Sequence, residues 1–376
     1  MNKPVYLDCN ATTPIEEEVL KTIIFYLRDE FGNAGSRTHV YGNEANKAVS
    51  DARKNISELV DCETDEVIFT SGATESNNIA LLGLEEYGKA KKKMHIISSQ
   101  IEHKAILEPL DKLSNNGFEV ELIGVNKEGL IDLKELRSKI REDTLLITVM
   151  HANNETGVIQ PIDQISGLAK KHKIIFHTDA AQTYGKIIPE LKNKDIDLIS
   201  FSGHKIYGPK GIGGLIVRRN KQFKLSAINV GGGQEKGLRP GTLPVHLIAG
   251  LGKATEISKR DADKREAFNK EFKEKIINEL KDLKMTMYGD QSRCLNNTLS
   301  VSFGDLDSEA LMIILKDSVA ISNGSACTSS TYEPSHVLLA MGIEGEEAER
   351  ITRWSWSHMT DLPDIQNLKE TIERLI

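Results

Sequence analysis

Short apolar runs recur along the chain: EVIFTSG from Glu66, MHIISS from Met94, LLITVM from Leu145, KIIFHTD from Lys173, DLISFSGHK from Asp197 and GGLIVRR from Gly213. Continuous runs of this length, rich in Val, Ile, Leu and Phe, predict strands buried on both faces rather than strands with one wet side. Between them lie amphipathic stretches, Glu44 to Val60 and Ile162 to Lys171, long enough to be crossover helices. The alternation predicts an α/β domain built on a mainly parallel sheet, whose ligands gather beyond the strand C-termini. From Val245 to about Leu283 the pattern becomes one long charged helix, read as a bridge into a smaller C-terminal α+β domain, and no internal repeat interrupts this order.

Composition narrows the function class. The 376 residues are 39% hydrophobic and 27% charged, and the 29 glycines are scattered through turns, so the chain is a folded globular protein long enough for two domains. A formal net charge of -7 argues against a general nucleic-acid or membrane-surface role, because phosphate-rich partners demand a cationic face. The Lys89–Lys93 basic run reads as a solvated helix end. The opening MNKPVYLDCNATTP has no apolar signal core and no stretch is apolar enough to span a bilayer, which predicts a cytoplasmic protein. Cys9, Cys62, Cys294 and Cys327 form no CxxC pair and the histidines no HExxH, so neither a disulfide framework nor a metal site is expected.

The polar residues at the strand ends are the informative ones. Asp179 falls where the KIIFHTD strand should finish and Lys205 where the next strand finishes, with room for a single crossover between them. Singly, Asp179 reads as a turn or cap residue and Lys205 as a solvated lysine. Together, beside Ser202 and His204, they place a carboxylate and an amine on one rim of a sheet. Pyridoxal phosphate requires that combination: a lysine for its imine linkage, an acid to keep its ring nitrogen protonated, and hydroxyls or backbone N–H groups for its phosphate. The segment TSGATESNN, Thr70 to Asn78, offers a phosphate cup in which a glycine turn opens a helix N-terminus, with Thr74 adding a hydroxyl or merely capping the helix. GPKGIGG and GGGQEKG match no nucleotide-binding motif.

Taken together, SGATESNN, IEHKAIL, MHANNETGVIQ, HTDAAQTYGK, SFSGHKIYGPKGIGG, RPGTLPVH and SNGSACTSS followed by EPSHVL resemble, in order from about Leu7 to Trp356, the class I cysteine desulfurases. These are the NifS/IscS group of fold type I pyridoxal-phosphate enzymes in the class V aminotransferase family. The resemblance implies a large cofactor domain, residues 15–250, on a mainly parallel seven-stranded sheet. A small α+β domain, residues 1–14 with 251–376, would carry a cysteine loop at about 322–333. It also implies a homodimer that removes sulfur from L-cysteine, leaves L-alanine, and passes a Cys327 persulfide to an acceptor protein.

Residue by residue, the resemblance makes Lys205 the cofactor lysine and the base at the substrate Cα. Asp179 becomes the partner of the pyridine nitrogen, and His103 the ring that stacks on the cofactor and shuttles protons. Asn154 and Gln182 would hydrogen-bond the cofactor's O3′, while Ala73, Thr74, Ser202 and His204 would hold the phosphate, joined by Thr242 from the other subunit. Arg353, with Asn154 nearby, would bind the substrate carboxylate, a task suited to a bidentate guanidinium.

Cys327 sits among Ser, Asn, Gly and Thr with only Ala326 as an apolar neighbour, unlike a structural cysteine, which is packed as a small hydrophobe. Thiolate is the nucleophilic form, so an activating neighbour is expected, and His103 is the candidate. Relatives that supply iron–sulfur scaffolds usually extend past the last helix. Relatives serving DNA phosphorothioation or thio-tRNA routes are similar to the shorter form ending in NLKETIERLI. Pro240 stands where Ser is commoner. Two other readings share part of the pattern. A selenocysteine lyase or another pyridoxal-phosphate enzyme would keep Lys205 and Asp179 without requiring Cys327. A catalytically silent sulfur-pathway scaffold could lose Lys205 or Cys327 without penalty, and both are present.

Overall fold

A computed structural model describes residues 3–219, 223–323 and 335–376. In chain order the strands are β1 (Val5–Tyr6), β2 (Val67–Thr70), β3 (His95–Ser99), β4 (Glu119–Ile123), β5 (Thr144–Thr148), β6 (Ile175–Asp179), β7 (Leu198–Ser202), β8 (Gly213–Val217), β9 (Met285–Tyr288), β10 (Thr298–Phe303), β11 (Val319–Ala320) and β12 (Thr352–Ser355). Seven of them form one sheet in the order β2-β8-β7-β6-β5-β3-β4, parallel except for β8, which runs against both neighbours. The six apolar runs of the sequence are β2, β3, β5, β6, β7 and β8. β4, EVELI, is a polar edge strand with little buried surface, which is why no apolar run announces it.

Successive side chains of a strand point to opposite faces, and in the sheet's interior both are apolar. Phe69, Ile97, Ile147, Phe176, Ile199 and Ile216 enter one hydrophobic cluster, while their neighbours Ile68, Ile96, Leu146, Ile175, Leu198 and Leu215 enter another on the far side. Each such burial is worth about 1.5–3 kcal/mol, so the pairs lock the sheet between two helical layers. Both expected helices form close to the expected limits, but only Ile162–His172 is a crossover, joining the parallel neighbours β5 and β6; Val40–Val60 precedes β2, the first strand of the large sheet, so it connects no two of its strands.

The long helix spans Val245–Leu280. Its first turns pack on the Glu17–Arg28 and Val40–Val60 helices. Gly252 permits the second contact, since a Cβ there would lie 2.6 Å from the Cα of Ala52. Its last turns enter a separate core with Phe272, Ile276 and Leu280, closed by Leu299, Val301 and Trp354 from the antiparallel β12-β10-β9 sheet and by Trp356 just past β12. Leu7 joins that core, and β1 pairs with β11, so the N-terminal segment is tied to the C-terminal part of the chain. Among the described residues no helix is long and apolar enough to cross a membrane.

The central strands also carry a polar row. His177 on β6 is fully buried between Thr148 of β5, 2.8 Å from Nδ1, and Ser200 of β7, 2.9 Å from Nε2. Burial pulls His177 down to about 3, and burial is likewise the main cause lowering His95, His103, His204 and His358. These imidazoles are neutral when folded but take up protons in the unfolded chain below about pH 6.5. Stability present above that value is therefore lost as pH falls from about 6.5 toward the depressed values. The urea midpoint is expected to drop between about pH 7.5 and pH 5; a flat or rising midpoint contradicts this account.

Candidate active site

The C-terminal ends of β6 and β7 open into a cavity of about 550 Å³. Parallel pairing sets Asp179, the last residue of β6, beside Ser200, and β7 then turns through Gly203–Lys205 to bring Lys205 to the same rim. Asp179 is 6% exposed. Its Oδ2 accepts from Asn77 Nδ2 at 2.7 Å and its Oδ1 from the Ala181 N–H at 2.8 Å, so both oxygens are held in place by hydrogen-bond donors. Lys205 Nζ donates to the carbonyls of Asn10 and of Ala11, the latter at 2.9 Å.

The Ala73–Leu82 helix begins at the same cavity. Gly72 precedes it at φ +155°, and a Cβ there would press on Ser202 Oγ at 3.4 Å. Among the described residues no side chain caps the helix, so Thr74 is not its cap, and Ala73, Thr74, Ser202 and His204 all line the cavity. First-turn N–H groups with the positive end of a helix dipole form an anion cup. Burial, then Lys205 and Lys210, lowers His204 to about 4.

His103 precedes the Lys104–Asn115 helix and caps it: Nδ1 accepts the Ala105 N–H at 3.1 Å. Burial lowers His103, with Lys205 and His336 adding to the effect against Asp179. A neutral ring whose Nδ1 is an acceptor carries its proton on Nε2 and therefore acts as a donor at that atom. Taking a proton would require Nδ1 to give up Ala105.

Arg353 on β12 is 4% exposed, with Nη2 2.6 Å from Asp8 Oδ1 and Nη1 3.2 Å from the Asn154 carbonyl. Asn154, Gln182 and Arg353 share the cavity wall. Gln182 Nε2 donates to the Asn10 carbonyl at 3.0 Å, and its buried Oε1 has no hydrogen-bond partner among the described residues. Thr242 is elsewhere: within one chain it lines a different cavity of about 480 Å³ with Arg53 and Glu235. Cys327 lies outside the described residues. Described residues before and after this segment contact residues around the main cavity. Ser322 pairs with Arg353, Ser335 Oγ donates to Glu155 Oε2 at 2.5 Å, and His336 Nε2 donates to the carbonyl of Glu102, the residue before His103.

Pyridoxal phosphate fits this donor set. The amine, the buried carboxylate, the helix N-terminus and the orphaned Gln182 Oε1 converge on one cavity whose volume lies in the range of cofactor sites. Three participants escaped the sequence reading. Asp8 and Asn10 stand in the opening YLDCNATTP, whose chemistry is set only by distant partners. Asn77 sits inside SGATESNN, where a fully buried amide one turn into a helix was the available signal. Removing the Asn77 donor in Asn77→Ala is expected to weaken cofactor binding about tenfold, measured by titrating apoprotein; unchanged affinity contradicts the role given to that contact.

Comparison with known proteins gives a consistent picture. The Aminotransferase class-V family model matches residues 5–368. The chain is 43% identical over 375 residues to cysteine desulfurase IscS of Vibrio campbellii, covering 99% of this chain and 92% of that protein. Among solved structures, a NifS-like protein superposes with a TM-score of 0.91 at 35% identity, covering 99% of both chains. SspA in complex with cysteine superposes with a TM-score of 0.83 at 37% identity, covering 93% of this chain and 98% of that one.

Proposed function

The chain belongs to the class-V aminotransferase family, and from that premise we propose that it is a pyridoxal-phosphate-dependent cysteine desulfurase, which takes sulfur from L-cysteine and leaves L-alanine. The observation that carries this reading is the convergence of Lys205, Asp179, His103, Arg353 and the Ala73–Leu82 helix N-terminus on one cavity. When bound, pyridoxal phosphate supplies an aldehyde that captures the substrate amine and a ring that takes up the electrons released at Cα. Residues 15–250 form the domain that holds it, and residues 1–14 with 251–376 the small domain.

Each side chain then has a task set by its position. Asp179 keeps a proton on the ring nitrogen, Ala73, Thr74, Ser202 and His204 hold the phosphate, and Gln182 and Asn154 face the O3′ edge. Arg353 receives the substrate carboxylate. Lys205 Nζ would hold the cofactor, and its amine would serve as the base for the substrate Cα proton. His103 lies against the ring and offers its Nε2 proton. Cys327 attacks the substrate sulfur as thiolate. The new S–S bond forms as the C–S bond breaks, the electron pair goes to the substrate Cβ, and protonation of Cβ together with return of the Cα proton from Lys205 yields alanine. The persulfide left on Cys327 is handed to an acceptor protein of an iron–sulfur, thio-tRNA or DNA phosphorothioation route.

The enzyme acts as a cytoplasmic homodimer. Supporting this reading, Leu27 is 59% exposed, Phe31 68% and Val40 63%, an apolar surface of the kind a second copy covers. Thr242, exposed and remote from its own chain's cavity, would serve the partner's phosphate.

With L-cysteine and a reductant, the holoenzyme is expected to release alanine and sulfide in equal amounts. Cys327→Ala should keep the cofactor's absorbance yet lose about 100-fold or more of this activity, and Lys205→Ala should lose the visible band of the lysine-bound cofactor. Undiminished sulfide release by Cys327→Ala would overturn the reading.

A further inference from the structure

Arg353 is gripped by a carboxylate that stands behind the cavity rather than in its wall. We propose that Asp8 is a positioning residue for substrate recognition: it aims the Arg353 guanidinium at the α-carboxylate of the incoming amino acid and sets the affinity for that group without touching it. The inference rests on the reading of Arg353 as the carboxylate clamp.

Arg353 lines the cavity with Asn10, Ala11 and Asn154, whereas Asp8 does not. Asp8 follows β1 and lies across from Ser355 in a parallel bridge, so its backbone is fixed to the end of β12, the strand that carries Arg353. The Tyr6 hydroxyl donates to the Asp8 and Thr12 carbonyls, both at 3.0 Å, which pins the turn that follows. Asp8 Oδ1 takes Nη2 at 2.6 Å while the Asn154 carbonyl takes Nη1 at 3.2 Å. Two acceptors on two different nitrogens fix both the position and the plane of a flat guanidinium, and a guanidinium has five N–H donors, so others remain for a ligand.

The electrostatics point the same way. Arg353 is 4% exposed, and a buried cation without a counter-charge is strongly disfavoured. Asp8, with its side chain 23% exposed, supplies that charge while remaining partly solvated itself. The cation thus keeps one orientation whether or not an amino acid is bound. The same segment orients the amine: Asn10, two residues on, gives its carbonyl to Lys205 and to Gln182. One short strap therefore positions both the group that binds the substrate carboxylate and the group that acts at the neighbouring carbon.

The test compares two competitive inhibitors of sulfide release by the holoenzyme, L-alanine, which has the carboxylate, and L-alaninamide, which lacks it. Asp8→Ala is expected to raise the inhibition constant for L-alanine about tenfold or more while that for L-alaninamide stays within about twofold, with the cofactor absorbance unchanged. Asp8→Asn, which keeps an acceptor but not the charge, falls between wild type and Asp8→Ala, and carries the comparison alone if Asp8→Ala does not fold. Equal weakening of both inhibitors, or no change in either, overturns the proposal. Arg353→Met is the reference: if it leaves L-alanine inhibition unchanged, the clamp reading itself fails. If it weakens L-alanine selectively and the Asp8 variants do not, only the role of Asp8 falls.

Discussion

The site depends on the parallel pairing of β6 with β7. That pairing puts a buried carboxylate, Asp179, and an amine, Lys205, at the same end of neighbouring strands, where helix N-termini and loops rather than packed side chains surround them. Neither group is stable there alone. Asp179 is tolerated because Asn77 and the Ala181 N–H satisfy its two oxygens, and Lys205 because two carbonyls of the N-terminal strap accept from it. The apolar residues on both faces of the same strands supply the stability that lets so polar a rim persist.

The strap from Asp8 to Thr13 joins what the two cores would otherwise leave as a cleft. Leu7 is buried with Trp354 and Trp356, Asp8 meets Arg353, Asn10 Nδ2 reaches Thr298 and the Asn154 carbonyl, and Thr13 Oγ1 donates to the His204 carbonyl at 2.9 Å. A few residues thereby couple β10 and β12 to the ends of β6 and β7. The groups assigned to substrate and those assigned to cofactor share hydrogen-bond partners, so a change in one set is felt by the other.

Much of this was legible in the sequence, and the exceptions have physical reasons. Continuous apolar runs are unambiguous when both faces of a strand are buried, so six strands of the large sheet stood out, whereas the polar edge strand β4 gave no such signal. Asp179 and Lys205 were visible because a charged residue at the end of an apolar run contradicts its surroundings. Asp8 and Asn10 were not, since a polar residue in an opening turn acquires meaning only from partners hundreds of positions away. The expected proton traffic at His103 acquires a direction only from its Nδ1 contact with Ala105, a detail of helix capping that spacing cannot reveal. Thr242 lines a different cavity of its own chain, and the phosphate contact proposed for it would have to come from a second subunit.

The central claim is that the amine at the end of β7 carries the cofactor. Borohydride reduction of the holoenzyme, followed by proteolysis and peptide mass analysis, tests it most directly. The account predicts the mass of the reduced cofactor on the peptide containing Lys205; finding it on Lys210, which lines the same cavity, or on no lysine, would contradict it.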